Sequence, residues 1–207
     1  MAEMTMPEEV DESRRKFLVG ATTATGAAGA VLAAVPFVKS WRPSESARAA
    51  GAPARLDLTK LEPGQMAIVT WRKRQIYVVR RTPEALALLG KHEAALKDPQ
   101  SEQSTQPAYA KNPTRSARPE ILVLIGTCTH LGCLPKERFT PGAYPELGAD
   151  WPGGFFCPCH GSKFDMAGRV FAGSPASVNL EIPPYSFAGE DGNTLVVGVD
   201  PSAQGVA

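Results

Sequence analysis

The longest apolar segment of the chain lies near its N-terminus. Residues 17–38 carry no charged side chain and consist mainly of Ala, Gly, Thr, Val and Leu. At about 1.5 Å per residue they predict a helix of about 33 Å, enough to cross a hydrocarbon core of roughly 30 Å once. Pro36 is expected to kink or end this helix near its far side. We therefore predict a polar tail at residues 1–16 and a transmembrane anchor at residues 17–38.

The segment after the anchor has no apolar periodicity. Residues 39–54 are mostly small, polar, Pro or Gly, apart from Trp41, whose ring suits a membrane interface. This composition predicts a flexible linker, which is a candidate hinge. The remaining residues, 55–207, then form the head of the protein.

The head has the pattern of an all-β domain built from short strands. Two apolar and β-branched runs, Met66–Trp71 and Gln75–Arg80, are separated by basic residues and predict a hairpin. Ile121–Ile125 is apolar throughout and predicts a strand that is buried on both faces. Further short strands are predicted at residues 155–156, 169–171, 178–182 and 194–199, with a turn at residues 190–193.

Three segments of the head do not have a strand pattern. Thr82, Pro83 and Glu84 combine an N-cap, a first-turn proline and a first-turn acid, so they predict a short helix that ends near Gly90. Residues 97–118 are polar and contain several prolines, which predicts a surface loop. Residues 140–154 are rich in Pro and Gly and predict an excursion without core positions.

Composition and charge narrow the range of functions. The 207 residues suit one domain of moderate size with appendages, and they contain no internal repeat. The formal net charge is +1, and 21% of the residues are charged. Since there is no basic excess to neutralise phosphates, nucleic-acid binding is not expected.

The metal-ligating residues are concentrated in two short stretches. The first box, Cys128–Cys133, has the sequence C-T-H-L-G-C, and the second box, Cys157–Ser162, has the sequence C-P-C-H-G-S. Together they hold all four cysteines and two of the three histidines. Two tight loops that face each other would bring thiolates and neutral imidazoles to one point, as a metal site requires. The remaining histidine, His92, lies in a polar segment and is interpreted as a solvated surface residue.

The glycines and the proline of the boxes favour such loops. Gly132 and Gly161 permit positive φ, so the chain can turn sharply behind each ligand pair and direct its N–H groups at the sulfurs. Pro158 stiffens the second box between its two cysteines.

At the two boxes the chain resembles the Rieske iron–sulfur proteins. In that family two histidines replace two cysteines on one iron of a 2Fe–2S cluster. The resemblance implies that Cys128 and Cys157 bind one iron and that His130 and His160 bind the other.

The remaining cysteines indicate the subclass. By resemblance, Cys133 and Cys159 form a disulfide that ties the two loops together over the cluster. Rieske ferredoxins and ring-hydroxylating oxygenases lack this pair, whereas the Rieske proteins of quinol-oxidising complexes have it. The resemblance covers residues 13–200 and implies an all-β Rieske head of antiparallel sheets on a single N-terminal transmembrane helix. A small zinc-ribbon-like cluster-binding subdomain is expected at about residues 121–176.

The function implied by the resemblance is electron transfer in a respiratory cytochrome bc complex of bacterial type. A neutral imidazole donates less negative charge than a thiolate, so the potential of such a cluster rises to roughly −150 to +300 mV. The free nitrogen of His160, with His130 as a second candidate, would take a proton from ubiquinol bound in a cytochrome b subunit. The head would then swing on its linker and pass the electron to a cytochrome c-type subunit. The chain would act as a subunit of a quinol–cytochrome c reductase and not alone.

Two residues are expected to tune the cluster. Ser162 would donate a hydrogen bond to a cluster sulfur and so stabilise the reduced state. Many family members have tyrosine where this chain has Phe164, which implies a potential in the lower part of the family range.

Two further residues are expected to shield the cluster. Leu131 would cover it and meet the partner surface, with ordinary packing as the alternative. Gly173–Ala176 resembles the proline loop of the family, so Pro175 would close over the cluster from a third side. Ser174 differs from the residue that is usual there.

The N-terminus carries a candidate export signal. Arg14 and Arg15 precede Phe17 and resemble a twin-arginine signal, although basic residues there also satisfy the positive-inside rule. Iron–sulfur clusters are built in the reducing cytoplasm, so a cluster protein must be exported folded, and a disulfide requires an oxidising compartment. We expect a single-pass protein of the bacterial inner membrane with its head on the periplasmic side. The anchor is expected to be retained, although Ala47–Ala49 offers a small-residue cleavage pattern.

Other functions remain open from the sequence. A small Rieske subunit of another exported oxidoreductase, such as arsenite oxidase, resembles this chain in its export signal and disulfide. A zinc-binding interaction module is a second alternative, because zinc accepts a similar set of two sulfurs and two nitrogens. Zinc ribbons usually pair cysteines at C-x2-C to C-x4-C spacing, which the first box permits and the C-x-C of the second box does not. A pair of disulfides with incidental histidines is a third.

Overall fold

The computed structural model describes residues 11–201. The chain divides into an N-terminal unit that extends to Arg48 and a second unit that begins at Ala49. The predicted polar tail lies outside the described residues up to position 10, and its remainder from Glu12 belongs to the first helix.

Helix α1, Glu12–Ser40, contains the predicted transmembrane anchor. It begins at Asp11, whose carboxylate accepts hydrogen bonds from the N–H groups of Ser13 and Arg14. The helix does not end at Pro36 but continues to Ser40. It is long and apolar enough to cross a membrane, and its residues are exposed along its length.

Three threonines of α1 form side-chain hydrogen bonds within the helix. Thr22, Thr23 and Thr25 each donate to a backbone carbonyl one turn earlier in the helix. Since lipid offers no hydrogen-bond partner, this internal bonding makes a threonine-rich helix compatible with a membrane.

The predicted linker is partly helical. Helix α2, Glu45–Gly51, lies within it, and Arg48 forms an exposed ion pair with Glu45 at 3.0 Å. No helix was predicted at these residues, and the flexible linker stays a prediction. Their Ala-rich sequence has a high helix propensity, which outweighed the neighbouring Pro and Gly.

The second unit is an antiparallel all-β domain, as predicted. Within the described residues, nine short strands form three sheets of three strands each. The first sheet has the order β1–β9–β8, the second β2–β3–β4 and the third β5–β6–β7. The strands are β1 Ala54–Asp57, β2 Met66–Trp71, β3 Arg74–Arg80, β4 Ile121–Ile125, β5 Lys136–Arg138, β6 Gly154–Cys157, β7 Ser162–Asp165, β8 Tyr185–Ala188 and β9 Thr194–Val197.

The second sheet forms the centre of the core. All five residues of β4 are buried, as the continuous apolar run predicted, and β4 pairs with β3 from Ile121–Arg80 to Ile125–Ile76. The predicted hairpin is confirmed as β2 and β3. Its two turn residues, Arg72 and Lys73, have φ values of 50° and 63°, which is the turn geometry that matches the twist of paired strands.

The predicted short helix is confirmed as α3, Pro83–Leu89. The N–H of Ala85 donates to the Thr82 hydroxyl at 3.2 Å, so Thr82 is the N-cap. A 3-10 helix, Gly90–Ala95, follows it. His92 lies in this 3-10 helix and is partly buried.

Two of the predicted strands are not strands. Residues 169–171 form only isolated bridges, and residues 178–182 have no strand structure. Their backbone groups bond to irregular segments and to side chains instead: the N–H of Ile182 donates to Thr105 O at 3.0 Å, and the N–H of Val170 donates to the Asn179 amide oxygen at 2.8 Å. The last predicted strand is confirmed in part, because β9 ends at Val197, before the turn at Gly198 with φ of 97°.

Residues 97–118 are mostly irregular and mostly at the surface, as predicted, but five of them are buried. Arg115 is fully buried, and its guanidinium donates to the carbonyls of Ala167, Gly168 and Leu180. Polar side chains in this segment therefore bond to backbone far away in the sequence. A polar pattern alone does not distinguish such contacts from contacts with water.

Three buried arginines, Arg81, Arg115 and Arg169, surround the turn that begins at Asp165. Burial lowers the pKa of both Arg81 and Arg115 to about 10, so both remain charged at neutral pH. Asp165 is also buried, and its carboxylate accepts from Arg169 Nε at 2.8 Å and from the N–H of Ala167 at 2.9 Å. This carboxylate is therefore the main counter-charge of the group.

The Asp165→Asn substitution should lower the free energy of unfolding by about 3–5 kcal/mol, because Arg169 then lacks its buried carboxylate partner. Glu93→Gln is the matched control, since Glu93 reaches Arg169 at 3.4 Å from a partly exposed position. It should cost less than about 1 kcal/mol. Urea denaturation of the purified chain measures both free energies of unfolding. Equal losses in the two variants would contradict the assignment of Asp165 as the main counter-charge.

Candidate metal centre

The two boxes lie at the ends of neighbouring strands of the head. The first box begins at Cys128, three residues after the end of β4. The second box is the turn of a hairpin: Cys157 ends β6, Ser162 begins β7, and the two are cross-strand partners. Each box is therefore fixed by a strand whose side chains are largely buried.

Both boxes have the same backbone turn. The N–H of Gly132 donates to Cys128 O at 3.0 Å, and the N–H of Gly161 donates to Cys157 O at 2.9 Å. The two glycines have φ values of 84° and 80°. A side chain at either position would be strained, so the predicted role of glycine in these turns is confirmed.

The two histidines of the boxes meet at the tip of the head. The ring centroids of His130 and His160 lie 4.8 Å apart with their planes perpendicular. His160 is exposed, whereas His130 is partly buried and its Nδ1 is a buried atom without a hydrogen-bond partner among the described residues. A buried nitrogen without a partner is costly unless it binds a ligand, so this atom is a candidate metal ligand.

Two cysteines of the boxes are free and buried. Cys128 and Cys157 are 3% and 2% exposed, and their sulfurs are neighbours. Burial raises the pKa of the Cys157 thiol and the Cys128 thiol raises it further, while the N–H groups of Cys159 and His160 oppose this rise. These N–H groups are directed at the sulfur, as predicted. The Cys157 thiol is therefore neutral in the absence of a cation, and a bound metal would release its proton.

Cys133 and Cys159 form a disulfide, which joins the first box to the second. The sulfurs of Cys133, Cys157 and Cys159 lie within 4.8 Å of one another. Because two of the three are oxidised, this group cannot act as a thiolate metal site. The donors that remain are the thiols of Cys128 and Cys157 with the two imidazoles. This set of two sulfurs and two nitrogens fits a 2Fe–2S cluster with histidine ligands and, by chemistry alone, a zinc ion.

A third loop, residues 172–178, packs against both boxes. The N–H of Ala176 donates to the Ser162 hydroxyl oxygen at 3.1 Å, and the Thr129 hydroxyl donates to Val178 O at 2.6 Å. Ser162 is fully buried and, since its oxygen is the acceptor here, its O–H is left to donate. Thr129 was not singled out from the sequence, although its position between two candidate ligands was a usable signal.

The other predicted tuning and shielding residues differ in exposure. Phe164 is fully buried in β7 opposite Phe155 of β6. Leu131 is 70% exposed, which excludes ordinary packing within the described head. Pro175 is exposed in the third loop.

Comparisons with known families agree with these observations. The sequence model described as "Rieske [2Fe-2S] domain" matches residues 56–184. A second, described as "Ubiquitinol-cytochrome C reductase Fe-S subunit TAT signal", matches residues 4–44. The twin-arginine interpretation of Arg14 and Arg15 is thereby confirmed.

Several characterised proteins are similar over most of the chain. The ubiquinol-cytochrome c reductase iron-sulfur subunit of Allochromatium vinosum is 52% identical, over 92% of this chain and 91% of that protein. The protein of the same name from Bradyrhizobium diazoefficiens is 40% identical, over 90% of this chain and 97% of that protein. Among solved structures, a chain of "Hyperthermophilic respiratory Complex III" is 25% identical with a TM-score of 0.47, and 87% of this chain and 98% of that chain are covered. The chain therefore belongs to the Rieske [2Fe-2S] family, in the group of ubiquinol–cytochrome c reductase iron–sulfur subunits.

Proposed function

We propose that this chain is the electron-carrying subunit of a ubiquinol–cytochrome c reductase, with a 2Fe–2S cluster between its two boxes. The observation that carries the proposal is the donor set. The two boxes supply two free buried cysteines and two histidines whose rings are 4.8 Å apart, and the other two cysteines form the disulfide that joins the boxes. Such a set matches histidine-ligated clusters and not clusters with four cysteines.

The four donors divide by residue type. Cys128 and Cys157 would hold one iron, and His130 and His160 would hold the other through their ring nitrogens. The buried unpaired Nδ1 of His130 supports this assignment. When bound, the cluster supplies one-electron chemistry at a potential within roughly −150 to +300 mV.

The exposed histidine performs the proton chemistry. His160 and Leu131 are both exposed, so the His160 ring can meet a quinol that is held by another subunit. With the cluster bound, the ring nitrogen of His160 that is not a ligand would accept the hydrogen bond of the quinol and take up one proton, while the quinol would give one electron to the cluster. Ubiquinol gives up an electron and a proton together, so the side chain that hydrogen-bonds the quinol also takes up its proton.

The buried residues behind the donors exclude water and set the potential. The Ser162 hydroxyl would donate to a sulfur of the bound centre, while the N–H of Ala176 donates to the Ser162 oxygen at 3.1 Å. Hydrogen bonds to sulfur stabilise the more negative, reduced state and raise the potential. Phe164 lies in the same strand and adds no such donor.

The partners and location follow from the same proposal. The head takes its electron at a cytochrome b subunit and delivers it to a cytochrome c-type subunit, moving on residues 39–54. Helix α1 anchors it in the bacterial inner membrane, and the disulfide supports a periplasmic head. The relatives at 52% and 40% identity carry the name of this reductase, which favours it over another exported oxidoreductase such as arsenite oxidase.

Electron paramagnetic resonance of the purified chain tests the cofactor. We expect a rhombic signal with a mean g value below that of the free electron after reduction by ascorbate alone, because the histidine ligands give a high potential. Elemental analysis should find two irons per chain. A silent sample after ascorbate and dithionite, with zinc in place of iron, would contradict the proposal.

The Phe164→Tyr substitution should raise the reduction potential, because a hydroxyl in this strand adds a hydrogen-bond donor beside the centre. Phe164→Leu is the control, since it changes the side chain without adding a donor and should not raise the potential. Redox titration followed by circular dichroism measures both. A potential of Phe164→Tyr that is equal to or below that of the wild type would count against this account.

Three prolines inserted after Gly51 should slow quinol oxidation by the assembled complex and leave the resonance signal of the centre unchanged. The reason is that proline makes a semi-rigid extended spacer, which restricts the proposed swing. A Gly-Ser-Gly insertion at the same point has the same length without the stiffness and should slow turnover less. Full turnover with the proline insertion would remove the swinging step from the mechanism.

A further inference from the structure

A short segment of the head, residues 95–97, is paired with the start of the third loop. The N–H of Lys97 donates to Val170 O at 2.9 Å, and the N–H of Ala172 donates to Ala95 O at 2.8 Å. This backbone pairing places the Lys97 side chain beside the loop that contacts both boxes.

The Lys97 ammonium group bridges the two sides of the proline turn. Its Nζ donates to Ser174 O at 2.6 Å and to Ala176 O at 2.7 Å. These carbonyls flank Pro175, which is exposed. Because proline lacks a backbone N–H, Pro175 cannot donate a backbone hydrogen bond that would fix the turn. Hydrogen bonds from a charged donor are shorter and stronger than neutral ones, so a single side chain fixes the turn at two points.

The opposite side of the same loop is bonded to the metal-binding boxes. Ala176 N–H donates to the Ser162 hydroxyl, and Val178 O accepts from the Thr129 hydroxyl. The loop therefore lies between Lys97 on its outer side and the two boxes on its inner side. Movement of the Ala176 backbone away from the boxes would release the Ser162 hydroxyl oxygen at the same time.

We propose that Lys97 is a positioning residue that holds the loop Gly173–Ala176 closed over the metal centre and limits the access of solvent to it. Only the identity of the covered cofactor rests on the proposed function. The closure itself rests on the contacts of Lys97 with Ser174 and Ala176.

The Lys97→Met substitution tests this role, since methionine keeps the apolar stem and removes all three donors. Hydrogen–deuterium exchange of the peptide covering residues 172–178 should become roughly tenfold faster in the purified full chain. The visible absorbance of the cluster should also decay several-fold faster in the presence of an iron chelator. Lys97→Arg keeps donors for both carbonyls and should restore both rates to near the wild-type values.

The matched control is Lys91→Met in the preceding 3-10 helix. Lys91 is exposed, so its substitution removes the same charge without touching the loop. Equal exchange rates in Lys97→Met and Lys91→Met would overturn the proposal. Faster exchange in the peptides of β3 and β4 as well would also overturn it, because the effect would then be general destabilisation. A chain that contains zinc and no iron would refute the proposed function, while the exchange rates would still decide the role of Lys97.

Discussion

The site depends on a covalent bond between two loops that have little core beneath their tips. Leu131, Pro158 and His160 are exposed at these tips, so apolar burial does not hold the loops together there. The disulfide between Cys133 and Cys159 does, across a sequence separation of 26 residues. In the chain-entropy model such a bond stabilises the folded state by about 3.5 kcal/mol. The disulfide also determines the donor set, because it leaves the thiols of Cys128 and Cys157 to bind a metal.

Beneath the tips, the head is stabilised by buried charge as well as by apolar packing. The turn after β7 offers backbone carbonyls that no strand satisfies, and Arg81 and Arg115 donate to them from other parts of the chain. Asp165 supplies the nearby negative charge through Arg169. A buried polar group of this kind is stable only when every member has a partner, which ties the loops to one arrangement. The hairpin that carries the second box is therefore held rigidly behind its two donors.

The parts of the fold that the sequence predicted correctly are those with local causes. The hairpin β2–β3, the N-cap at Thr82 and the buried strand β4 follow from periodicity and capping within a few residues. The errors at residues 97–118, 169–171 and 178–182 have one cause. In each segment some of the hydrogen-bond partners lie far away in the sequence, such as Thr105 for the N–H of Ile182 and Lys97 for the carbonyl of Val170, and a local pattern carries no information about them.

For the site, the sequence by itself determined the types of the donors and the turns that present them. Cysteine and histidine at close spacing, followed by glycine with positive φ, specify each loop without any other part of the chain. The residues alone allow three pairings of four cysteines, and the resemblance to a known family pointed to one. Only the tertiary structure left Nδ1 of His130 buried and unpaired and brought Lys97 to the carbonyls of the third loop. The physical reason is that contacts between remote residues are set by the packing of strands and loops, which no local pattern encodes.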